Sequence, residues 1–272
     1  DPDTKIAFIT YDKDVHFWRL SPSLKMVVMA DLDKPHNPLP EANMFINYAQ
    51  HKAVVDEWLL TVLQIFRGEY PFSAFASAVN VANMAMPTGG RIFAFQCSLP
   101  NRGPGAMSRI DSPQVYNTEK EIPMSAPSNG FYAELATKLS KNFVSLELFV
   151  YTHAFVDLAT MAAVATNTCG QLWYIPQFQL EVHEEKMFYD LRRAMIRRYA
   201  KDCIAKVRCS EGLCVNRYEG FGSLDQGDMY FPTVDTDKTF VAHMAYEGDL
   251  KGQAVFQFAM LHTNSVSSLL QQ

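Results

Sequence analysis

An α/β fold passing into an all-β region is what this sequence predicts, on three observations. The stretch from Val144 to Phe178 reads as strand, helix and strand in turn: VSLELFVYTH, AFVDLATMAAVATNTCG and QLWYIPQF. The first piece is a nearly unbroken apolar run, as in a strand covered on both faces, and so short a crossover joins parallel strands with a helix on the sheet's face. Strands alternate with helices up to about Tyr199. From about Cys203 onward, strand-like segments follow one another, separated by Gly, Asp and Pro, which reads as antiparallel β structure. The expected domains are 1–202, α/β, and 203–272, all-β.

In chain order, KIAFITYD and KMVVMADL read as strands, with VHFWRL a short one between them. AVVDEWLLTVLQIF (53–66) and SAFASAVNVANMAM (73–86) have helical spacing; Ser73 is expected to cap the second, and Pro87 follows it. RIFAFQC is the next buried strand and GFYAELATKLSKN the next helix. In the crossover unit Asp157 opens the helix, Leu158, Met161, Ala162 and Ala165 share its apolar face, and Gly170 is expected to end it. EEKMFYDLRRAMIRRYAKD (184–202) is the last long helix, with Phe188, Leu191, Met195 and Tyr199 on its buried face. IAKVRC, LCVNRYE, KTFVAHMAYEG and AVFQFAMLHT are the strands that follow. The stretch Pro100–Asn129, rich in Pro, Gly and Ser, reads as a long surface loop.

Composition narrows the class. Of 272 residues, 48% are hydrophobic and 19% charged, which is globular rather than disordered. A net charge of −5 gives no global pull toward nucleic acid or anionic membrane. No apolar run approaches the ~20 residues that span a bilayer, and the first residues do not read as a signal peptide. The five cysteines, at 97, 169, 203, 209 and 214, form no CxxC pair, so buried thiols in a reducing compartment are expected.

Catalytic signals are absent from the pattern: there is no GxSxG, phosphate loop or GxGxxG, and Asp31 and Asp33 have no nucleophile placed near them. The seven histidines are scattered; His153 ends a strand and His243 sits within one, positions of packed or edge residues rather than ligands. Basic residues carry more. Arg193, Arg197, Arg198 and Lys201 fall opposite the apolar face of the last helix. That arc reads either as a solvated face, with Glu184, Glu185 and Asp190 nearby, or as a surface toward acidic lipid headgroups or an acidic partner. In the strand that follows, Lys206 and Arg208 project to one side while Val207 faces the core; two adjacent cations repel, and an acidic ligand relieves the repulsion.

Several motifs carry a family resemblance. With the Val144–Phe178 unit, KIAFITYDKDVHFWRL (5–20), VVMADLDKPHNPLP (27–40), GGRIFAFQCSLPNRGPG (89–105) and IAKVRCSEGLCVNRYEGFG (204–222) resemble, in the same order, the cargo-reading adaptor subunit of the COPII inner coat. The resemblance runs from about Lys5 to His262; TYDKDVHFWRL and ADLDKPHNPLP look more like this subunit than its paralogous partner. It implies a von Willebrand factor A-like trunk followed by part of a β-sandwich. The family's first central strand, the rest of its sandwich and its structural zinc site would lie beyond the two ends, which predicts unpaired sheet edges.

The resemblance also implies function. A family member selects cargo for transport from the endoplasmic reticulum to the Golgi, pairs with the other inner-coat subunit, and reads cytosolic tails of cargo and SNARE proteins. It contacts the endoplasmic reticulum membrane peripherally, on the cytosolic side, and binds no nucleic acid. Its Arg-x-Arg pair, part of the pocket for acidic export signals, falls on Lys206 and Arg208; here Lys replaces the first Arg and lacks the bidentate fork. The Asp-x-Ser-x-Ser metal motif of von Willebrand domains is missing, and Asp12-Lys13-Asp14 follows a different strand, so no metal is expected. A von Willebrand-type interaction or adhesion module is the alternative, and a hydrolase on a doubly wound sheet the third; the missing metal motif and nucleophile elbow argue against each.

Overall fold

The apolar run that begins at Val144 folds as a strand whose Val144, Leu146, Leu148, Phe149 and Val150 are all fully buried. The computed structural model describes residues 3–68, 71–110, 114–225 and 227–264. In chain order come β1 (Lys5–Ile6), β2 (Ile9–Tyr11), β3 (Val15–Arg19), β4 (Lys25–Met29), α1 (Glu41–Met44), β5 (Ile46–Asn47), α2 (Tyr48–Ile65) and α3 (Phe75–Met84). Then follow β6 (Gly90–Gln96), α4 (Phe131–Lys141), β7 (Val144–Thr152), α5 (Leu158–Asn167), β8 (Leu172–Pro176) and α6 (Leu180–Ile196). The chain continues as β9 (Tyr199–Cys209), β10 (Leu213–Gly220), β11 (Ser223–Asp225), β12 (Asp228–Asp235), β13 (Phe240–Tyr246) and β14 (Phe256–Asn264). Contacts divide the chain into two compact units: Asp1–Pro87 with Gln96–Tyr132 and Thr152–Thr160, and Thr88–Phe95 with Ala133–Tyr151 and Met161–Gln272.

In the first unit β2, β3 and β4 form an antiparallel meander, with Ile9 opposite Phe17 and Val15 opposite Met29. Val15 and Phe17 pack with Met29, Met44, Ala78 and Val81, while Trp18 packs with Val55 and Trp58 of α2. Helix α2 begins five residues before the expected Ala53, because the Asn47 side chain accepts from Gln50 N and caps it; the helix then kinks at His51, where φ is −123°. Ser73 does not cap α3. Its hydroxyl accepts from Gln96 Nε2 at 2.8 Å and its amide donates to Asn101 Oδ1, so the helix starts at Phe75 from an Ala74 cap. The long loop is surface chain with one 3-10 turn, Glu119–Ser125; its residues 111–113 lie outside the described residues. Asp157 does cap α5: Thr160 N donates to Oδ1, and the Ser128 and Thr160 hydroxyls donate to Oδ2.

The second unit holds the parallel sheet β6-β7-β8, as its helical crossovers require. Phe95, Phe149 and Trp173 stack across its three strands at 5.0 and 5.7 Å. Helix α5 ends in a left-handed residue, but that residue is Cys169 (φ 58°), with Gly170 N bonded back to Ala165 O and Cys169 N to Thr166 O. Gly170 answers a different need: a Cβ there would lie 1.8 Å from Leu146 O of the buried strand.

Helix α6 departs most from expectation. It spans Leu180–Ile196 rather than 184–202, and β9 begins at Tyr199. Its buried side chains are Asp190 and Ala194, whereas Phe188 and Met195, expected inside, are 66% and 60% exposed. Helix periodicity allows either set, and pairing with Lys186 lets Asp190 be buried at its position.

The all-β part has a four-stranded antiparallel sheet, β11-β12-β9-β14, and a β10-β13 ribbon, around a core of Cys169, Cys203, Ala205, Tyr218, Met229 and Phe231. The sequence pattern missed β12, a central strand, because it contains Pro232. The β9–β12 ladder pairs Phe231 with Cys203 and Thr233 with Lys201, skipping Pro232 and Asp202, whose φ is 53°.

Candidate functional site

β9 alternates. Cys203 and Ala205 are buried and Val207 is half-buried, while Ile204, Lys206 and Arg208 are exposed on the opposite face. The structure thus brings Lys206 and Arg208 together as their spacing required. In register, Ile204 faces Tyr230 of β12 and Leu261 of β14, Lys206 faces Ala259, and Arg208 faces Gln257. Tyr230 and Leu261 are both exposed, so apolar side chains adjoin the cations. Lys206 Nζ lies 2.7 Å from Asp228 Oδ1 at the start of β12. Arg208 makes no ion pair among the described residues. Sequence reasoning missed Asp228, since only the register of an unrecognised strand sets it beside Lys206.

The four basic residues assigned to one arc of α6 separate. Arg197 is the residue after the helix's last turn, and its side chain is 4% exposed; it faces the interior, not solvent. Its guanidinium donates to Glu147 Oε1 and Gln171 Oε1, and Nε lies 3.1 Å from Asp235 Oδ2 outside hydrogen-bond geometry. Arg193 holds Asp237 with two bonds of 2.9 and 2.7 Å. Lys201, already in β9, donates to Thr88 O at 2.7 Å. Arg198 alone is exposed without such an anchor among the described residues. The physical reason is the early end of the helix: beyond Ile196 the chain is extended, so helical spacing no longer orders these side chains.

Arg197 belongs to a buried ionic cluster. Glu147, in the middle of β7 and 1% exposed, also accepts from Arg91 Nη2 at 2.9 Å and Trp173 Nε1 at 3.2 Å. Arg91 donates its other Nη to Ala194 O and lies over the Phe93 and Tyr199 rings. Lys238 donates to Gly170 O, lies 3.7 Å from Asp235, and faces the Phe221 ring. Hydrogen bonds from Arg193 hold the Asp237 carboxyl below the usual carboxylate range, and burial pushes the Lys238 ammonium below its ordinary value against the pull of Asp235. Burial likewise pushes the Cys203 thiol up to about 11. The cluster pairs its charges among its own members.

Asp12 and Asp31 use their carboxylates locally: Asp12 Oδ1 accepts from Asp14 N, and Asp31 Oδ1 from Asp33 N and Lys34 N. Among the described residues no three His, Cys, Asp or Glu side chains gather as a metal site. His243 lies in β13 beside Glu219, its Nε2 3.3 Å from Oε2. No helix among the described residues is long and apolar enough to cross a membrane.

Comparison with known proteins gives matches along nearly the whole chain. Residues 1–195 match the family model of the Sec23/Sec24 trunk domain, and residues 200–269 that of the Sec23/Sec24 beta-sandwich domain. The chain is 34% identical to protein transport protein SEC24 A of Arabidopsis thaliana over 97% of its own length and 26% of the relative's. Identity to protein transport protein Sec24A of Homo sapiens is 31%, over 96% of this chain and 25% of that one. The crystal structure of the human COPII-coat protein Sec24c superposes with a TM-score of 0.87 at 26% identity, covering 96% of this chain and 36% of that one. The chain thus spans about a quarter of the length of the curated relatives it matches.

Proposed function

Because the chain belongs to the Sec23/Sec24 family, we propose that it is the cargo-reading trunk and sandwich of a COPII coat adaptor, a binding module without catalysis. In this reading, residues 1–202 form the trunk that docks on the other inner-coat subunit, and residues 203–272 contribute part of the sandwich. The outer face of β9 receives acidic signals in the cytosolic tails of cargo and SNARE proteins. The protein works on the cytosolic face of the endoplasmic reticulum membrane, which it touches peripherally; of the basic set, Arg198 is exposed and without an anchor among the described residues, while Arg193 is exposed but held by Asp237. No cofactor is assigned to this chain.

One observation carries the reading: Lys206 and Arg208 stand side by side on an exposed strand face, and Arg208 makes no ion pair among the described residues. An acidic side chain placed there satisfies a cation that the fold leaves to solvent. The test is a titration of a labelled acidic peptide against wild type and the Lys206→Ala/Arg208→Ala double variant of the full-length protein. Each charge-assisted contact made out of water contributes about 1.5–3 kcal/mol, so affinity should fall on the order of 100-fold. An unchanged dissociation constant at both low and physiological salt makes the pair an ordinary solvated face. Equal loss of a neutral control peptide points to damaged folding instead.

A further inference from the structure

The tip of the β3–β4 hairpin gathers positive charge that no carboxylate answers. From Val15 to Ala30 the sequence holds no Asp or Glu, and the ladder sets Arg19 directly opposite Lys25. Side chains paired in this way start about 4.5–5.5 Å apart, and like charges there repel. Neither cation makes an ion pair among the described residues. Instead the Arg19 guanidinium reaches over the turn to Ser23: Nη2 donates to the hydroxyl at 2.9 Å and Nε to the carbonyl at 3.4 Å. The turn is anchored at its base, where Leu20 is buried and Leu24 packs against the cluster of Trp18, Val55 and Trp58. Pro22 and Ser23 are exposed. Ser23 is thus open to solvent, held toward a guanidinium, and outside the core.

We propose that Ser23 is a phosphorylation site whose phosphate is clamped by Arg19 and Lys25 across the hairpin tip. The site is independent of the acidic-ligand reading of β9. A serine/threonine kinase supplies the group from ATP. The bond between the γ-phosphorus and the β–γ bridging oxygen breaks, a P–O bond to Ser23 Oγ forms, ADP leaves, and the hydroxyl proton passes to a base of the kinase. Three phosphate oxygens then stand where the hydroxyl stood, and a guanidinium matches two of them at once. A phosphoserine carries a charge of about −1.5 to −2 at pH 7, so the tip passes from two uncompensated cations to near neutrality. The repulsion between Arg19 and Lys25 becomes a tie between the end of β3 and the start of β4.

The experiment uses the full-length protein in two arms. In the first, wild type and Ser23→Ala are incubated with ATP and a panel of purified serine/threonine kinases and mapped by mass spectrometry. Phosphate should appear on the β3–β4 peptide of wild type, and Ser23→Ala should lose it from that peptide alone. A peptide left bare while other serines are modified overturns the proposal. In the second arm, phosphoserine is installed at position 23 during synthesis, and hydrogen exchange is followed in the peptide covering β3 and β4. Each exposed ion pair slows opening about two- to fivefold, so two should slow it about four- to 25-fold at about 0.05 M salt, and less at about 0.5 M. Arg19→Ala and Lys25→Ala should each remove a share of that protection, and the double variant all of it. Exchange in α2 should stay the same, which separates a local clamp from general stabilisation. Exchange that the phosphate leaves unchanged disproves the clamp. Equal protection of unmodified wild type by millimolar inorganic phosphate makes the tip a site for free anions and disproves the modification.

Discussion

The ion pairs around Glu147 and those on the outer face of β9 use the same kinds of side chain in opposite surroundings. Glu147 and Arg197 have side chains 1% and 4% exposed, and each finds several partners: Arg91, Trp173 and Arg197 on the carboxylate, Gln171 and the aspartates of the β12–β13 turn on the guanidinium. Lys206 and Asp228 are partly in water with one contact between them. Charges withdrawn from water must satisfy one another, and losing a partner is then costly. Charges left in water contribute little to the fold and stay available to a ligand. The comparison separates residues that hold this protein together from residues that the fold leaves in water.

It can be broken at several points, and the largest effect is expected in the buried cluster. Arg197→Ala leaves Glu147 with Arg91 and Asp235 with Lys238, and removing one member of a buried pair costs about 3–5 kcal/mol. Denaturant unfolding of the full-length protein should show a lowered midpoint, and a loss under about 1 kcal/mol would mean that water reaches the cluster after all.

The half-exposed pair of Arg193 with Asp237 should behave between the extremes. Its bonds depress the Asp237 pKa in the folded state, so its stabilisation is present above the ordinary carboxylate range and is lost as pH falls below it. Melting temperatures of wild type and Asp237→Asn, measured from pH 6 downward, should therefore converge at acid pH. Curves that stay parallel would remove the pair from the account.

The smallest change in stability belongs to the outer face of β9. Lys206→Ala/Arg208→Ala should move the melting midpoint by an amount corresponding to less than about 1 kcal/mol, even where it abolishes peptide binding. A drop as large as that of Arg197→Ala would make β9's outer face structural and erase the distinction.

The legible parts of the sequence were those where one local rule decided the outcome. Asp157 reads as a helix cap and is one, because its carboxylate needs only amides and hydroxyls within its own turn and the nearby Ser128. The family expected from the motifs is the one matched across both halves of the chain. Ser73 misled because Gln96, 23 residues away in sequence, took its hydroxyl. On α6 the more apolar face did not go inside: Asp190, paired with Lys186, and Ala194 are buried instead of Phe188 and Met195.

By itself, then, the sequence determined what depends on near neighbours: the buried apolar strand at Val144, the crossover around α5, and the alternation that sets Lys206 and Arg208 on one side of β9. Backbone geometry enforces these, since a strand turns successive side chains to opposite faces whatever surrounds it. Only the tertiary structure decided which charges are buried and which are free. Arg197 and Arg198 are adjacent in sequence and alike in chemistry, yet one lies among Glu147, Asp235 and Asp237 while the other faces solvent. The charged partners of Arg197 come from β7 on one side of it in the chain and from the end of β12 and the residues after it on the other, and burial depends on charges meeting across such separations. The same long-range register set Asp228 beside Lys206.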